Sequence, residues 1–296
     1  MRHNRDKFQN ECDTLTNMQD MKAFSNKIIL VTGATDGLGK EVASYFAEQQ
    51  ATVLLHGRNM DKGEAARLEL MEKTGNQNLR YFNADFASLS DVREMADQIL
   101  ADHQQIDVLI NNAGIGVRTL EAKREVSSEG HELRFAVNYL SHVLLTFRLL
   151  PLLKRAAPSR IINVASAGQQ SIDFGDVMLE NDYDDWHAYQ QSKLAQVMFT
   201  IDMARELKGS GVTVNCIHPA TLMNTKLVYD SPFFDIPAST VEEGAKAVEY
   251  LAISPALEGV TGKYFDGKKV AEPNPQAHNR DARRRLWELS MKLIGL

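Results

Sequence analysis

The segment Ala188-Tyr189-Gln190-Gln191-Ser192-Lys193 sets a phenol and an ammonium at i and i+4. On a helix that spacing places both side chains on one face, one turn apart. A tyrosine hydroxyl ordinarily titrates near ~10. A neighbouring ammonium favours the phenolate and lowers that value, which gives an acid or base usable near neutral pH. Two other residues could serve the same chemistry. Ser166 follows the apolar run Arg160-Ile161-Ile162-Asn163-Val164, where a hydroxyl could hydrogen-bond and orient a substrate carbonyl oxygen. Asn138 lies inside the apolar stretch Ala136-Val137-Asn138-Tyr139-Leu140. A buried amide there needs partners, and a helix kink, a water connected to Lys193, or both would supply them. Taken singly, each feature has a plainer reading: a solvated Tyr/Lys pair, a serine satisfying a strand end, an amide satisfying a kink.

A second constellation suits a phosphate-bearing ligand. The run Lys27-Ile28-Ile29-Leu30-Val31 leads into Thr32-Gly33-Ala34-Thr35-Asp36-Gly37-Leu38-Gly39, with a helical pattern directly after. Three glycines in a strand-to-helix turn let the backbone approach a ligand, and N–H groups at a helix start suit a pyrophosphate. The spacing Gly-x-x-x-Gly-x-Gly differs from the commoner Gly-x-Gly-x-x-Gly fingerprint and on its own also fits a simple tight turn. After the second apolar run stands Arg58. An acidic residue there would bind a ribose hydroxyl, whereas an arginine fork can pair with a 2′-phosphate. Arg58 therefore points to NADP(H) ahead of NAD(H), with an ordinary surface arginine as the alternative. Asp85 follows the third run and fits either an adenine contact or a helix N-cap. Asn111-Asn112-Ala113-Gly114 follows the fourth and could brace backbone around a cofactor or form only a polar turn.

These residues need a scaffold, and the chain alternates short β-branched runs with longer amphipathic ones. Seven apolar runs begin at Lys27, Thr52, Leu79, Asp107, Arg160, Val212 and Lys263. Helical patterns cover Lys40 to Gln50, Asp91 to His103, Ser128 to Arg155, Tyr189 to Lys208 and Thr240 to Ala252, the last opening on a Thr240-x-x-Glu243 capping box. Such alternation predicts an α/β fold, a parallel sheet with helices on both faces. Ligands of such sheets bind beyond the carboxyl ends of the strands, so the chemistry is expected just after the apolar runs.

Composition narrows the function classes. With 296 residues, 44% of them apolar, one large domain is expected over 25–296, preceded by a poorly ordered extension over 1–24. The net charge of −6 lacks the basic footprint of a nucleic-acid binder; Arg283, Arg284 and Arg285 read as a solvated helix face. Two distant cysteines, Cys12 and Cys216, argue against structural zinc and a disulfide framework, no metal site is expected, and Cys216 reads as a small core residue. No run approaches the ~18 consecutive apolar residues of a membrane span, and the leader has no apolar signal core, so a cytoplasmic location is expected.

In this order, the motifs closely resemble those of the short-chain dehydrogenase/reductase family, in particular its retinol-dehydrogenase-like branch. Those carrying the resemblance are Thr32-Gly33-x-x-x-Gly37-x-Gly39, Asp85, Asn111-Asn112-Ala113-Gly114, Asn138, Ser166, Tyr189-x-x-x-Lys193 and Pro219. Val137-Asn138-Tyr139-Leu140-Ser141-His142 and Ser192-Lys193-Leu194-Ala195 resemble the branch. The resemblance implies a Rossmann-type, doubly wound, seven-stranded sheet and hydride exchange between a nicotinamide cofactor and an alcohol or carbonyl. It implies catalytic roles for Tyr189, Lys193, Ser166 and Asn138. It also implies cofactor contacts from Gly33, Thr35, Asp36, Gly37, Leu38, Gly39, Arg58, Asp85, Phe86, Asn112, Ala113, Gly114, Tyr189, Lys193, Pro219 and Thr221. A homo-oligomer is a further expectation from the family. Pro219-Ala220 departs from the family's Pro-Gly, and Asp85-Phe86 from its Asp-Leu. The aromatic, proline-broken stretch Val228 to Pro237, with Phe233 and Phe234, suggests an apolar substrate or packing against the core or a partner. Glu180 to Asp185 with Trp186 reads as a pocket rim or a solvated loop. A catalytically idle dinucleotide-binding protein is the alternative function.

Overall fold

The computed structural model describes residues 24–117, 123–230 and 236–296. Its sheet holds β1 (Ile28–Val31), β2 (Thr52–Gly57), β3 (Leu79–Asn83), β4 (Val108–Asn111), β5 (Ser159–Val164), β6 (Val212–His218) and β7 (Tyr264–Asp266) in the spatial order 3-2-1-4-5-6-7. These seven strands run parallel, each in the place of one expected run. An eighth, β8 (Lys269–Val270), turns back antiparallel on β7. Two exposed residues at a sheet edge leave no periodic trace, which is why the sequence shows seven strands and the molecule eight.

Helices cover both faces. They are α1 (Gly37–Glu48), α2 (Met60–Thr74), α3 (Leu89–Asp102), α4 (Leu133–Arg155), α5 (Asp185–Glu206), α6 (Lys226–Tyr229), α7 (Val241–Ile253) and α8 (Arg280–Ile294). Side chains alternate across a strand, so the two faces feed two cores. Leu30, Leu54, Leu109 and Ile161 join the core under α3, α4, α5 and α8. Ile29, Val31, Val53, Leu55, Ile110 and Ile162 join the core under α1 and α7. Burial on both faces explains why the central runs are continuously apolar.

The Thr240–Glu243 capping box forms as expected. The α4 helix is long and apolar enough by length and composition to cross a membrane, yet 78% of its most apolar window is buried against the rest of the fold, as in a core helix. It starts at Leu133, capped by the Glu132 carboxylate, rather than at Ser128. Cys216 is buried, and burial pushes its thiol up to about 12, as suits a core residue.

The arginine run is not the uniformly solvated face expected. Arg283 is buried, 2.9 Å from Asp202, and donates to the Ala277 carbonyl at 2.7 Å. Arg284 does face solvent, near Asp281 and Glu288. Arg285 lies 4.6 Å over the Phe174 ring. Met1 to Ala23, Cys12, Phe233 and Phe234 fall outside the described residues.

Candidate active site

The β1–α1 turn is held open by its own backbone geometry. Gly33 takes φ +65°, a left-handed conformation that side chains disfavour. A Cβ on Gly39 would run into the Gly33 carbonyl oxygen and would lie 2.5 Å from Asn112 Nδ2. Thr32 fixes the turn to the β4 end: its hydroxyl accepts the N–H groups of Asn112 and Ala113 at 2.8 and 2.9 Å. Asn112 returns two bonds, to the Thr32 and Gly33 carbonyls at 2.9 and 3.2 Å. Behind the turn, buried His56 accepts the Gly33 N–H at Nδ1 and donates from Nε2 to the Ala84 carbonyl. Burial holds its pKa down, to about 4, so the ring is neutral and the tautomer fixed. It stacks on Phe86 with centroids 4.0 Å apart.

The Gly33 N–H is therefore spent inside the protein, as is that of Gly37, which donates to its own cap, Asp36. The N–H groups of Leu38 and Gly39, in the first turn of α1, have no partner within the helix and suit an anion. This cradle of close backbone, which a Cβ would fill, fits the diphosphate of a dinucleotide. Arg58, next to Gly57 at the end of β2, is exposed and enters no hydrogen bond or ion pair among the described residues. Asp85 is not the cap of α3. Ser88 is, while Asp85 accepts the Ala87 N–H at 3.0 Å.

The catalytic candidates converge at the ends of β4 and β5. Tyr189 and Lys193 lie on α5, both buried, with Nζ 5.7 Å from the Tyr189 ring centroid. The Ser166 side chain lies near the Tyr189 hydroxyl and favours its ionised form. Asn138 clamps the chain after β4: its Oδ1 accepts the Ile115 N–H at 2.8 Å, and its Nδ2 donates to the Ile115 carbonyl at 3.1 Å and to Ser192 Oγ at 3.0 Å. With both amide hydrogens committed, a water could be held only at Oδ1 or by main chain. Asn138 sits in a π turn, Ala136–Leu140, so the expected kink is present.

The electrostatics correct one expectation. The Tyr189 pKa is raised, not lowered: burial dominates, and Ser166 only partly offsets it. Lys193 is itself pushed down, to about 7, by burial. Burial thus works against the charged ammonium as well as against the phenolate.

Around this centre the loop after β6 forgoes glycine. Ala220 has no positive φ; the left-handed residue is Leu222, at φ +47°. The loop is stitched to the start of α7, with Ser239 Oγ donating to the Thr221 carbonyl at 2.6 Å. His218 and the Thr221 hydroxyl lie 3.1 Å apart. Thr225 packs over Gly37, so this loop reaches the glycine turn. The acidic stretch before α5 is not simply a solvated loop. Asp185 is buried, 3.0 Å from Arg134, which also donates to Tyr183 Oη at 2.7 Å and to the Gly116 carbonyl at 3.2 Å. Tyr183 donates in turn to buried Glu132 at 3.1 Å. Trp186 stacks on Tyr189 at 5.6 Å. Arg134→Met would leave two buried carboxylates without a counter-charge, and we expect a loss of about 3–5 kcal/mol in denaturant unfolding. A loss below about 1 kcal/mol, the level of an exposed pair, would contradict the role of Arg134 as their anchor.

His56, Arg134 and Thr32 lay outside the sequence-derived site. Only Thr32 carries a local signal, its place before the glycine turn. The partners of the other two lie in distant parts of the chain.

Residues 27–231 match the sequence profile of the short chain dehydrogenases. With this fold and this cluster, the chain belongs to that family, and it is an NAD(P)-dependent oxidoreductase of CH–OH or C=O groups. Retinol dehydrogenase 13 of Mus musculus is 39% identical over 286 residues, 91% of this chain and 84% of that protein. Retinol dehydrogenase 11 of Homo sapiens is 38% identical over 279 residues, covering 91% and 86%. Among solved structures, a short chain dehydrogenase from Escherichia coli CFT073 complexed with NADPH superposes with a TM-score of 0.68 at 26% identity, covering 84% of this chain and 99% of that one. A protein from Mycobacterium paratuberculosis gives a TM-score of 0.75 at 29% identity, covering 94% and 96%.

Proposed function

We propose that the protein interconverts an apolar alcohol and its ketone or aldehyde, with NADP(H) preferred. The observation that carries this reading is the convergence of Tyr189, Ser166 and Lys193 at the strand ends next to the glycine turn. Arg58 at the end of β2 supports NADP(H), as do similar structures complexed with NADP and NADPH. The names of the relatives, retinol dehydrogenases, support an apolar terpenoid or similar alcohol.

Leu38, Gly39 and the turn around Gly33 would hold the diphosphate, Arg58 the 2′-phosphate, and Lys193 with the chain at Asn112 to Gly114 the nicotinamide end. When bound, the cofactor would supply or accept the hydride. Ser166 Oγ orients the substrate oxygen. Tyr189 gives its proton to that oxygen in reduction and takes it back in oxidation. Lys193 stabilises the phenolate that reduction leaves. Asn138 keeps the Gly114–Ile115 segment in place beneath both.

Arg58→Ala should weaken NADPH binding roughly 10–100-fold, the loss of a charge-assisted bond, and leave NADH nearly unaffected. Fluorescence titration with each nucleotide reads this out, alongside a screen of ketones and alcohols followed by NADPH absorbance. Equal weakening of both nucleotides would remove the phosphate contact from the proposal.

A further inference from the structure

Behind Lys193 lies a buried polar chain that no role above uses. Lys193 Nζ donates to the Val164 carbonyl at 2.9 Å and to Gln196 Oε1 at 3.1 Å. Gln196 Nε2 in turn lies 3.1 Å from His142 Nδ1 on α4. Gln196 is 1% and His142 2% exposed.

The polarity of this chain is fixed by chemistry. An ammonium can only donate, so with Lys193 charged Gln196 must turn its oxygen to Lys193 and its amide hydrogens to His142. The imidazole must then accept at Nδ1 and carry its proton on Nε2, an atom with no hydrogen-bond partner among the described residues. His142 stays neutral, its pKa down to about 3 by burial first and then by Lys193 and His56, with the Asn138 carbonyl weakly opposing. Its edge-on packing against Phe86, at 5.6 Å, holds the ring in place. His142 Nδ1 is thus placed to orient one amide.

We propose that Gln196 and His142 are a positioning pair for Lys193: His142 fixes the rotamer of the Gln196 amide, whose oxygen holds the ammonium and leaves its third N–H for the cleft that Tyr189 faces. The proposal rests on the catalytic reading above and deepens it. Three titratable groups face Lys193: Tyr189 from its own helix, His142 from α4 and His218 from β6. Burial disfavours the charged form of each, and no carboxylate contributes to the Lys193 shift. The neutral acceptors at hydrogen-bond distance, Val164 O and Gln196 Oε1, are the groups placed to favour a charge on this buried nitrogen.

The test reads Lys193 directly, in full-length protein labelled with [ε-13C]lysine and titrated by NMR without nucleotide, the resonance being assigned by its loss in Lys193→Ala. Gln196→Met removes the acceptor and should lower the Lys193 midpoint by roughly one pH unit. Gln196→Glu puts a carboxylate in its place and should raise it; this near-isosteric variant carries the test should Gln196→Met not fold. His142→Phe frees the amide and should give a smaller fall. In carbonyl reduction the alkaline limb of kcat/KM should move in the same direction for each variant. Midpoints that move as described in a protein that reduces no carbonyl compound would support the pair while refuting the catalytic reading. A Lys193 midpoint identical in the wild type, Gln196→Met and Gln196→Glu would overturn the pair.

Discussion

Tyr189→Phe should reduce turnover by about 10³-fold or more while NADPH binding stays within a few-fold of wild type, since the loss of a positioned acid–base group typically costs 10²–10⁴ in rate. The variant deletes one oxygen from a ring that keeps its stacking on Trp186 and its place on α5. The remaining frame therefore has little reason to shift. The hydroxyl is buried, and among the described residues only Ser166 pulls its pKa back toward the ordinary value. Water is thus poorly placed to substitute for it. Steady-state rates and nucleotide titration on the same preparation separate the two effects. Retained turnover would remove Tyr189 from the proton transfer, and loss of nucleotide binding would show that the substitution disturbed the frame.

Gly39→Ala should abolish measurable nucleotide binding and lower stability by about 1–3 kcal/mol, as overpacking does. The new methyl would press on the Gly33 carbonyl oxygen and the Asn112 side chain, and neither has room to yield. Asn112 is held to the Thr32 and Gly33 carbonyls, and the Gly33 N–H is held by His56. Relief would have to come from backbone movement at the mouth of the turn, where the N–H groups of Leu38 and Gly39 are aimed. Thermal unfolding with and without NADPH distinguishes the two losses. A variant as stable as wild type and still stabilised by NADPH would show that the turn tolerates a side chain.

The parallel strands were legible in the sequence because burial on both faces writes itself as continuous apolar runs, as in Ile28–Val31 and Val108–Asn111. The long helices α4 and α5 were legible for the same reason. By contrast, α2 buries only Gly63, Ala66 and Leu70 in 15 residues, so it has no stripe to detect. In α8 one of the inward positions is an arginine, which reads as surface until Asp202, 81 positions away, is seen beside it. The candidate residues carried by short motifs were likewise visible. What stayed hidden was their environment. Tyr189 and Lys193 suggested an acidified phenol, but the depth of their burial is a property of the packed fold and reverses the direction. Gln196 and His142 are 54 positions apart, and neither has a local motif to announce the other.

The π turn at Ala136–Leu140 spends one residue more than a regular turn would. Were that residue excised, the helix could close into unbroken α geometry, but every side chain upstream would swing by about 100° relative to those downstream. Either Asn138 would lose its grip on Ile115 or the stripe running from Val143 to Leu153 would leave the core. The irregularity is a joint between two phases of one helix, one phase clamping the chain after β4 and the other serving the interior, so the same length of chain meets demands that a straight cylinder could satisfy only one at a time.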